Sequence, residues 1–341
     1  MNFADPVVGH VCVLLLALLV ILGASELFTN GIEWLGQHLG LSEGVVGSVL
    51  AAVGTALPET LIPVVAVVMF GTRQAQNVGI GAIAGAPFML STLTLSLCGA
   101  AVFLFTRIGR RAGVFNLNKV VLTRDLRFFI LAYTAALAAG LLRNIAMARL
   151  VIAILLVFSY GLYLYKTFTH EGEMGEAPEH LHFDRLLKAG TGFSAVVLQV
   201  LSGLAGILGG AFLFVDHVQS LSRAVHVPEL ILSLLIAPIA TELPEKVNSV
   251  LWVRNGKDTL ALGNVTGALV FQSCFPVAFG VAFTSWNLGA GVLTTGLVAL
   301  ASATFYLLLL ERDKLRPQHL LAGVVCYIST LTWLLLTRQI D

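Results

Sequence analysis

Two short segments hold residues whose types and spacing are suited to cation chemistry: Gly54-Thr55-Ala56-Leu57-Pro58-Glu59 and Ala240-Thr241-Glu242-Leu243-Pro244-Glu245. In each, a threonine stands four residues before a glutamate, so on a helix the hydroxyl and the carboxylate share one face, a turn apart. The proline between them has no N–H and leaves the carbonyl four residues back, that of Gly54 or Ala240, without its helical donor. Each segment therefore offers a hydroxyl, a carboxylate and a bare carbonyl. Two such sets brought together make a cage of hard oxygens with two negative charges. Ca²⁺ takes about six to eight oxygens of this kind, and Na⁺ is satisfied by similar donors.

The elements that must position these groups are apolar. The chain has 341 residues, 57% hydrophobic and 11% charged, against about 25% charged in a soluble domain. Apolar runs of spanning length fall at 7–35, 44–71, 78–106, 126–143, 147–167, 187–222, 228–253, 260–283, 287–310 and 317–337. The sequence thus predicts an all-α integral membrane protein of ten transmembrane helices, with tilt in the long first and sixth. The first run lacks a basic flank and outruns a signal peptide, so it is expected to stay as a helix. Cys12, Cys98, Cys274 and Cys326 fall inside apolar runs without paired or metal-type spacing and are expected to be small packing residues.

The two segments belong to an internal repeat. Shifting the chain by 186 residues lays Ile21–Glu59 over Ile207–Glu245 without a gap, with twelve of thirty-nine positions identical, among them Gly23/Gly209, Phe28/Phe214 and Glu43/Glu229. The copies start in the first and sixth spans, an odd offset, so the second enters the membrane in the opposite sense. Two inverted five-helix repeats follow, residues 1–166 and 187–341, joined by a linker at 167–186, with helix breaks at Pro58 and Pro244 meeting near the midplane. Such a pattern is typical of secondary transporters. With the N-terminus on one face, that face holds five Lys/Arg and the opposite face fourteen, Lys246 lying inside a span. The positive-inside rule then places both termini outside a plasma (inner) membrane and the linker in the cytoplasm. The linker's His170, Glu171, Glu173, Glu176, Glu179, His180 and His182 are expected to be a solvated loop.

A charged residue in a membrane span is a functional candidate by default, more so when it recurs in symmetry-related copies. Glu242 and Lys246 are different: they lie four apart with Glu first, the favourable order for an internal ion pair, and the first copy has Ala56 and Thr60 instead. A third site carboxylate at Glu242 is the alternative. Glu26 is expected to be interfacial or paired, and the aligned Asn30 and Asp216 to line an access path. The glycines Gly79, Gly81 and Gly85 of one copy and Gly263 and Gly267 of the other suit close helix packing. Asn264, Thr266 and Gln272 add polar groups in the second copy only.

At these residues the sequence resembles the cation/calcium exchanger superfamily, typified by sodium/calcium exchangers. Its members have ten spans in two inverted halves, with repeats reading roughly Gly-Thr-Ser-x-Pro-Glu and then Gly-Ser-Asn-x-x-Asn or Asp. The likeness in topology covers essentially the whole chain. Thr55, Glu59, Thr241 and Glu245 match the family's ion-ligand positions, and Gly85 and Gly267 its second-motif glycine. The chain departs at Ala86 and Ala268, where the family has Ser, at Leu90 and Gln272, where it has Asn or Asp, and at Ala56, Glu242 and Ala240 in the first motif. The resemblance implies alternating-access antiport of Ca²⁺ or a similar cation against H⁺ or Na⁺, with no cofactor and no nucleic-acid partner, in contact with the lipid bilayer. Glu59 and Glu245 would be the central carboxylates, Thr55 and Thr241 hydroxyl ligands, and Gln272 a neutral ligand, beside the carbonyls of Gly54 and Ala240. The lost side-chain oxygens favour H⁺ over Na⁺ as the driving ion, since a proton needs no cage. A cation channel on the same scaffold is the competing reading. An intramembrane enzyme ranks last, because no His, Ser or Cys set accompanies the two glutamates.

Overall fold

The structure, a computed structural model, describes residues 6–40, 51–142, 144–170, 180–188 and 190–337; the side chains at 6, 51–56, 168–170, 186–187 and 240 lie outside that description. Glu43 and most of the linker acids are likewise outside it. Among the described residues every regular element is helical. Seven helices are long and apolar enough to cross a bilayer: Val7–His38, Arg73–Arg107, Ala146–Thr167, Phe193–Val225, Asp258–Phe283, Ala290–Glu311 and Pro317–Thr337. The other three expected spans fall on a helix at Ala51–Val64, one at Lys119–Leu141, and a pair at Glu229–Thr241 and Leu243–Arg254.

The chain divides into two compact units, Met1–Val78 with Gly161–His226, and Gly79–Tyr160 with Val227–Asp341. The first is built on α1 (Pro6–His38) and α7 (Phe193–Val225), with α2 (Ala51–Val64) and the short α6 (His182–Leu187) against them. Pro6 opens α1, where its missing N–H is harmless. Three glycines of α7 let the two long helices touch along their backbones. A Cβ at Gly203 would lie 2.7 Å from the Phe28 nitrogen, one at Gly206 2.7 Å from the Ala24 Cβ, and one at Gly210 2.6 Å from Ile21. The repeat-matched Gly23 and Gly209 have no described atom within 4 Å of that position. Identity between the copies here does not mark a packing face.

The expected break at Pro58 is absent. Ala51–Val64 runs helically through Pro58 and Pro63, then widens to π-type turns over Val65–Phe70. A lone proline removes one hydrogen bond and kinks a helix without having to end it. The segment stops at Gly71, which takes the left-handed φ of 65° and returns its N–H to the Ala66 carbonyl.

The second unit holds α3 (Arg73–Arg107, from Gly79 onward), α4 (Lys119–Leu141), α8 (Glu229–Thr241), α9 (Leu243–Arg254), α10 (Asp258–Phe283), α11 (Ala290–Glu311) and α12–α13 (Pro317–Leu320, Ala322–Thr337), with α4 packed on α10 and α11, and α9 on α10 and α3. The α3 helix also widens, at Leu90–Thr94, just past Pro87. Hydroxyls there bond back to the carbonyls: Ser91 to Pro87 at 2.7 Å, Thr92 to Phe88, Ser96 to Thr92 at 2.8 Å. As the sequence anticipated, Gly81 and Gly85 are contact points: a Cβ on Gly81 would sit 3.0 Å from the Ser233 Cβ, and one on Gly85 2.9 Å from Pro238, whereas the second-copy Gly263 and Gly267, expected to do the same, have no described atom within 4 Å of that position.

A buried clamp closes one end of this unit. The Arg111 guanidinium grips Asp258 at the start of α10 with Nη1–Oδ1 2.5 Å and Nη2–Oδ2 2.8 Å, the side chains 5% and 1% exposed. Arg111 also donates to the carbonyls of Val253, at the end of α9, and of Val114. Asp258 Oδ2 accepts a further bond from the Asn116 N–H. One side chain thus fastens the α3–α4 loop to the α9–α10 hairpin.

Candidate cation site

In the second copy the helix does break, at Glu242, two residues before Pro244. Glu242 has φ −95° and ψ 10°, and α9 restarts at Leu243 with Pro244 in its first turn. A proline in the first turn loses no bond, because those N–H groups have no intrahelical partner. Pro238, inside α8, lacks the N–H that would have reached the Leu234 carbonyl.

This break gathers polar groups in an apolar setting. Thr241, Glu242, Glu245 and Lys246 are all buried. Thr241 donates its hydroxyl proton to the Ala237 carbonyl at 3.1 Å, so its oxygen keeps lone pairs for another donor or a cation. The Lys246 ammonium donates to Glu242 Oε2 at 3.1 Å and to the Pro238 carbonyl at 2.8 Å, the internal pair expected from the spacing. Glu245 sits in the first turn of α9, where the helix dipole favours an anion.

The α9 helix is fixed to α10 by side chains. Asn264 donates to the Glu245 carbonyl and to Ser249 Oγ, both at 3.2 Å, and Ser249 donates to the Ala261 carbonyl at 3.1 Å. Two turns beyond Asn264, Gln272 is buried, and Pro276 removes the donor its backbone carbonyl would have had. Among the described residues five buried side-chain oxygens of this unit have no hydrogen-bond partner: Thr94 Oγ1 and Thr106 Oγ1 on α3, and Glu242 Oε1, Glu245 Oε2 and Gln272 Oε1 on or beside α9 and α10. Buried oxygens are nearly always satisfied, so orphans of this kind point to a missing donor or ion. Carboxylate, amide, hydroxyl and freed carbonyl oxygens are the donor types a hard cation takes, although among the described residues no three His, Cys, Asp or Glu side chains cluster at metal-holding spacing.

The first-copy groups belong to the other unit. Glu59 is buried, 6% exposed, within α2. The neighbouring Leu57 and Leu61 pack on Ala24, Phe28 and Ile207. Pro63 stands four residues after Glu59 and frees the Glu59 carbonyl, as Pro276 does for Gln272. Gly54 and Thr55 lie in the helical backbone of α2 and Ala240 in that of α8, but their side chains are outside the described residues.

Other expected residues fall elsewhere. Asn30 does not open onto a path: its Oδ1 accepts from the His182 N–H at 3.1 Å and from Gln199 at 2.9 Å, tying α1 to α6 and α7. Asp216 is exposed beside His217. Glu26 is exposed and paired, 3.4 Å from His182. Sequence reasoning passed over Asp125, 1% exposed in α4, which accepts from Thr266 at 2.9 Å and from Arg124 at 3.1 Å. In the sequence it was masked by Lys119, Arg124 and Arg127, which read as loop charges; in the structure α4 begins at Lys119, so Asp125 lies nearly two turns inside a helix.

Comparison with known proteins gives the family and the fold. The profile of the family described as sodium/calcium exchanger protein matches residues 9–169 and 195–336. Sodium/calcium exchanger MaX1 of Methanosarcina acetivorans is 24% identical over 281 residues, 75% of this chain and 78% of that protein. The putative antiporter CaxA of Alkalimonas amylolytica is 21% identical over 318 residues, 92% of this chain and 94% of the relative. Among solved structures, the H⁺/Ca²⁺ exchanger CAX superposes with a TM-score of 0.72 at 20% identity, over 98% of this chain and 83% of the other. The sodium-calcium exchanger NCX_Mj gives 0.57 at 20% identity, over 96% and 99%. With a profile that spans most of its length and a matching fold, this multi-span membrane protein belongs to the sodium/calcium exchanger family.

Proposed function

We propose that the protein is a secondary-active antiporter that exchanges Ca²⁺, or a similar cation, for H⁺ or Na⁺ by alternating access. The observation that carries this reading is the pair of buried carboxylates at a helix break, Glu242 and Glu245, each with one oxygen that has no partner among the described residues, in the same unit as the buried Gln272 amide oxygen. Glu59 and Glu245 serve as the central carboxylates, Thr55 and Thr241 as hydroxyl ligands, and Gln272 as the neutral ligand, with the carbonyls of Gly54 and Ala240 completing the set. The ten helices form two inverted repeats, 1–166 and 187–341, with the linker 167–186 in the cytoplasm and both termini outside the plasma (inner) membrane. Family membership and the likeness to exchangers of both coupling types support antiport and leave H⁺ and Na⁺ to be separated by this chain's residues. Ala86 and Leu90 are buried apolar side chains where the family carries oxygens, which favours H⁺. Two carboxylates moving two protons one way and one divalent cation the other balance charge with no further ligands.

The test is Ca²⁺ uptake into proteoliposomes, driven first by an acid interior without Na⁺ and then by internal Na⁺ at equal pH. Uptake on the pH gradient alone is expected. Uptake that requires Na⁺ and ignores pH overturns the H⁺ assignment, and flux that needs no counter-ion overturns antiport in favour of a channel.

A further inference from the structure

Lys246 is more than half of a self-cancelling pair. Its ammonium is held by one carboxylate oxygen, Glu242 Oε2 at 3.1 Å, and one main-chain oxygen, Pro238 O at 2.8 Å. Both oxygens lie at the C-terminal end of α8, where the helix dipole is negative and favours a cation. Broken membrane helices commonly offer a helix C-terminus and its carbonyls to a monovalent ion; here the Pro238 carbonyl also accepts the Glu242 N–H at 3.3 Å. The second Glu242 oxygen is left without a partner among the described residues, and Glu245, one position before the lysine, carries another. The equivalent positions in the first copy are Ala52, Ala56 and Thr60, so nothing there supplies either charge.

We propose that the Lys246 ammonium is a tethered, resident cation: it occupies a monovalent-cation position at the α8–α9 break and reduces by one the exchangeable ions the site must hold. This rests on the reading of the break as part of a cation site. The lysine takes one oxygen of a carboxylate and one main-chain carbonyl, and the other carboxylate oxygen stays open among the described residues in a buried setting. With the lysine, Glu242 and Glu245 together require one further positive charge. Without it they require two. Selectivity follows from the same count. A covalently held ammonium cannot be exchanged, so a site that would otherwise take a monovalent and a divalent ion in turn is left with room for one.

The experiment uses the full-length protein purified in detergent. Lys246→Met removes the tethered charge at similar length and leaves Glu242 and the Pro238 carbonyl in place. Glu242→Gln/Lys246→Met removes both charges and serves as the balanced control. Thermal unfolding is followed at fixed pH in choline, Li⁺, Na⁺ and K⁺ chloride of equal ionic strength. K246M is expected to gain about 3–4 °C, saturably, with one of the small cations, well above any gain of the wild type, and E242Q/K246M is expected to lose that gain. Equal increments in the wild type and K246M overturn the proposal. So does a K246M protein unfolded in every salt, since the lysine would then be serving packing and no free ion could replace it. Ca²⁺-dependent stabilisation of the wild type is read in parallel. Its absence counts against the cation site itself, while its presence alongside an unresponsive K246M counts only against the tethered cation.

Discussion

The Arg111–Asp258 clamp gives the most quantitative test of how this fold is held. Asp258→Asn keeps the shape and one acceptor but leaves the guanidinium without its counter-charge. An exposed ion pair contributes about 0–1 kcal/mol, and removing one partner of a buried pair costs about 3–5 kcal/mol. The side chains here are 5% and 1% exposed, so the buried figure applies. Arg111 keeps its bonds to the Val253, Val114 and Ala112 carbonyls in the variant, which points to the lower end, about 3 kcal/mol. With an unfolding entropy of about 2.1 cal/mol/K per residue, a chain of this length unfolding cooperatively loses about 4 °C in Tm. The assay is thermal unfolding in detergent, with limited proteolysis of the 108–118 loop as a local readout. The apolar pair Arg111→Met/Asp258→Leu should recover most of the loss, because it removes the stranded charge together with its partner. A shift under about 1 °C for D258N, or a double variant worse than D258N, refutes the claim that the clamp is a desolvated, mutually dependent pair.

Glu245→Gln is expected to reduce Ca²⁺ transport about a thousandfold or more with near-normal expression, since a carboxylate–divalent cation contact at about 3 Å is worth ~11 kcal/mol at an effective dielectric of ~20, part of it offset by desolvation; flux in proteoliposomes measures it. Gln272→Leu should raise the half-saturating Ca²⁺ concentration about tenfold, the loss of one net hydrogen-bond-sized oxygen contact, read from uptake against Ca²⁺ concentration. Gly203→Ala should destabilise by about 1–3 kcal/mol, because its Cβ would meet the Phe28 backbone at 2.7 Å, while Gly209→Ala, with no described atom within 4 Å, should stabilise slightly. Thermal unfolding of the two glycine variants side by side checks the pair.

Much of the site was legible because its chemistry sits in short contiguous motifs. Thr241 and Glu245 are one turn apart by sequence, and the Glu242–Lys246 pair follows from the same spacing. What escaped was set by tertiary contact. The Asn264–Ser249 staple joins residues 15 apart through side-chain geometry that no period reveals. Pro58 and Pro244 are equivalent in sequence yet differ in outcome, one riding inside a helix and the other opening a new one after Glu242. A proline fixes its own φ and frees one carbonyl. Whether the chain then stops is decided by the residues around it, and here the copies differ, with Ala56 and Thr60 against Glu242 and Lys246. The start of α4 was placed late, near 126, because Lys119, Arg124, Asp125 and Arg127 read as loop charges. In the fold Asp125 turns inward to Thr266 and Arg127 reaches Glu311 on α11.

The length of α1 and α7 has a consequence for where the protein can work. Each has 33 residues, about 50 Å of helix, against a hydrocarbon layer of about 30 Å. Gly203, Gly206 and Gly210 bring them into backbone contact, so the two lean as a pair and cannot adjust separately. Such a pair meets hydrophobic mismatch collectively: a thicker bilayer draws both upright and a thinner one lays both over, at a fraction of a kcal/mol per Å. Acyl-chain length then becomes a variable of function, and the rate of exchange in vesicles of graded lipid length should pass through an optimum that Gly203→Ala broadens or moves. The membrane, through its thickness alone, would set the resting inclination of half of the first unit's framework.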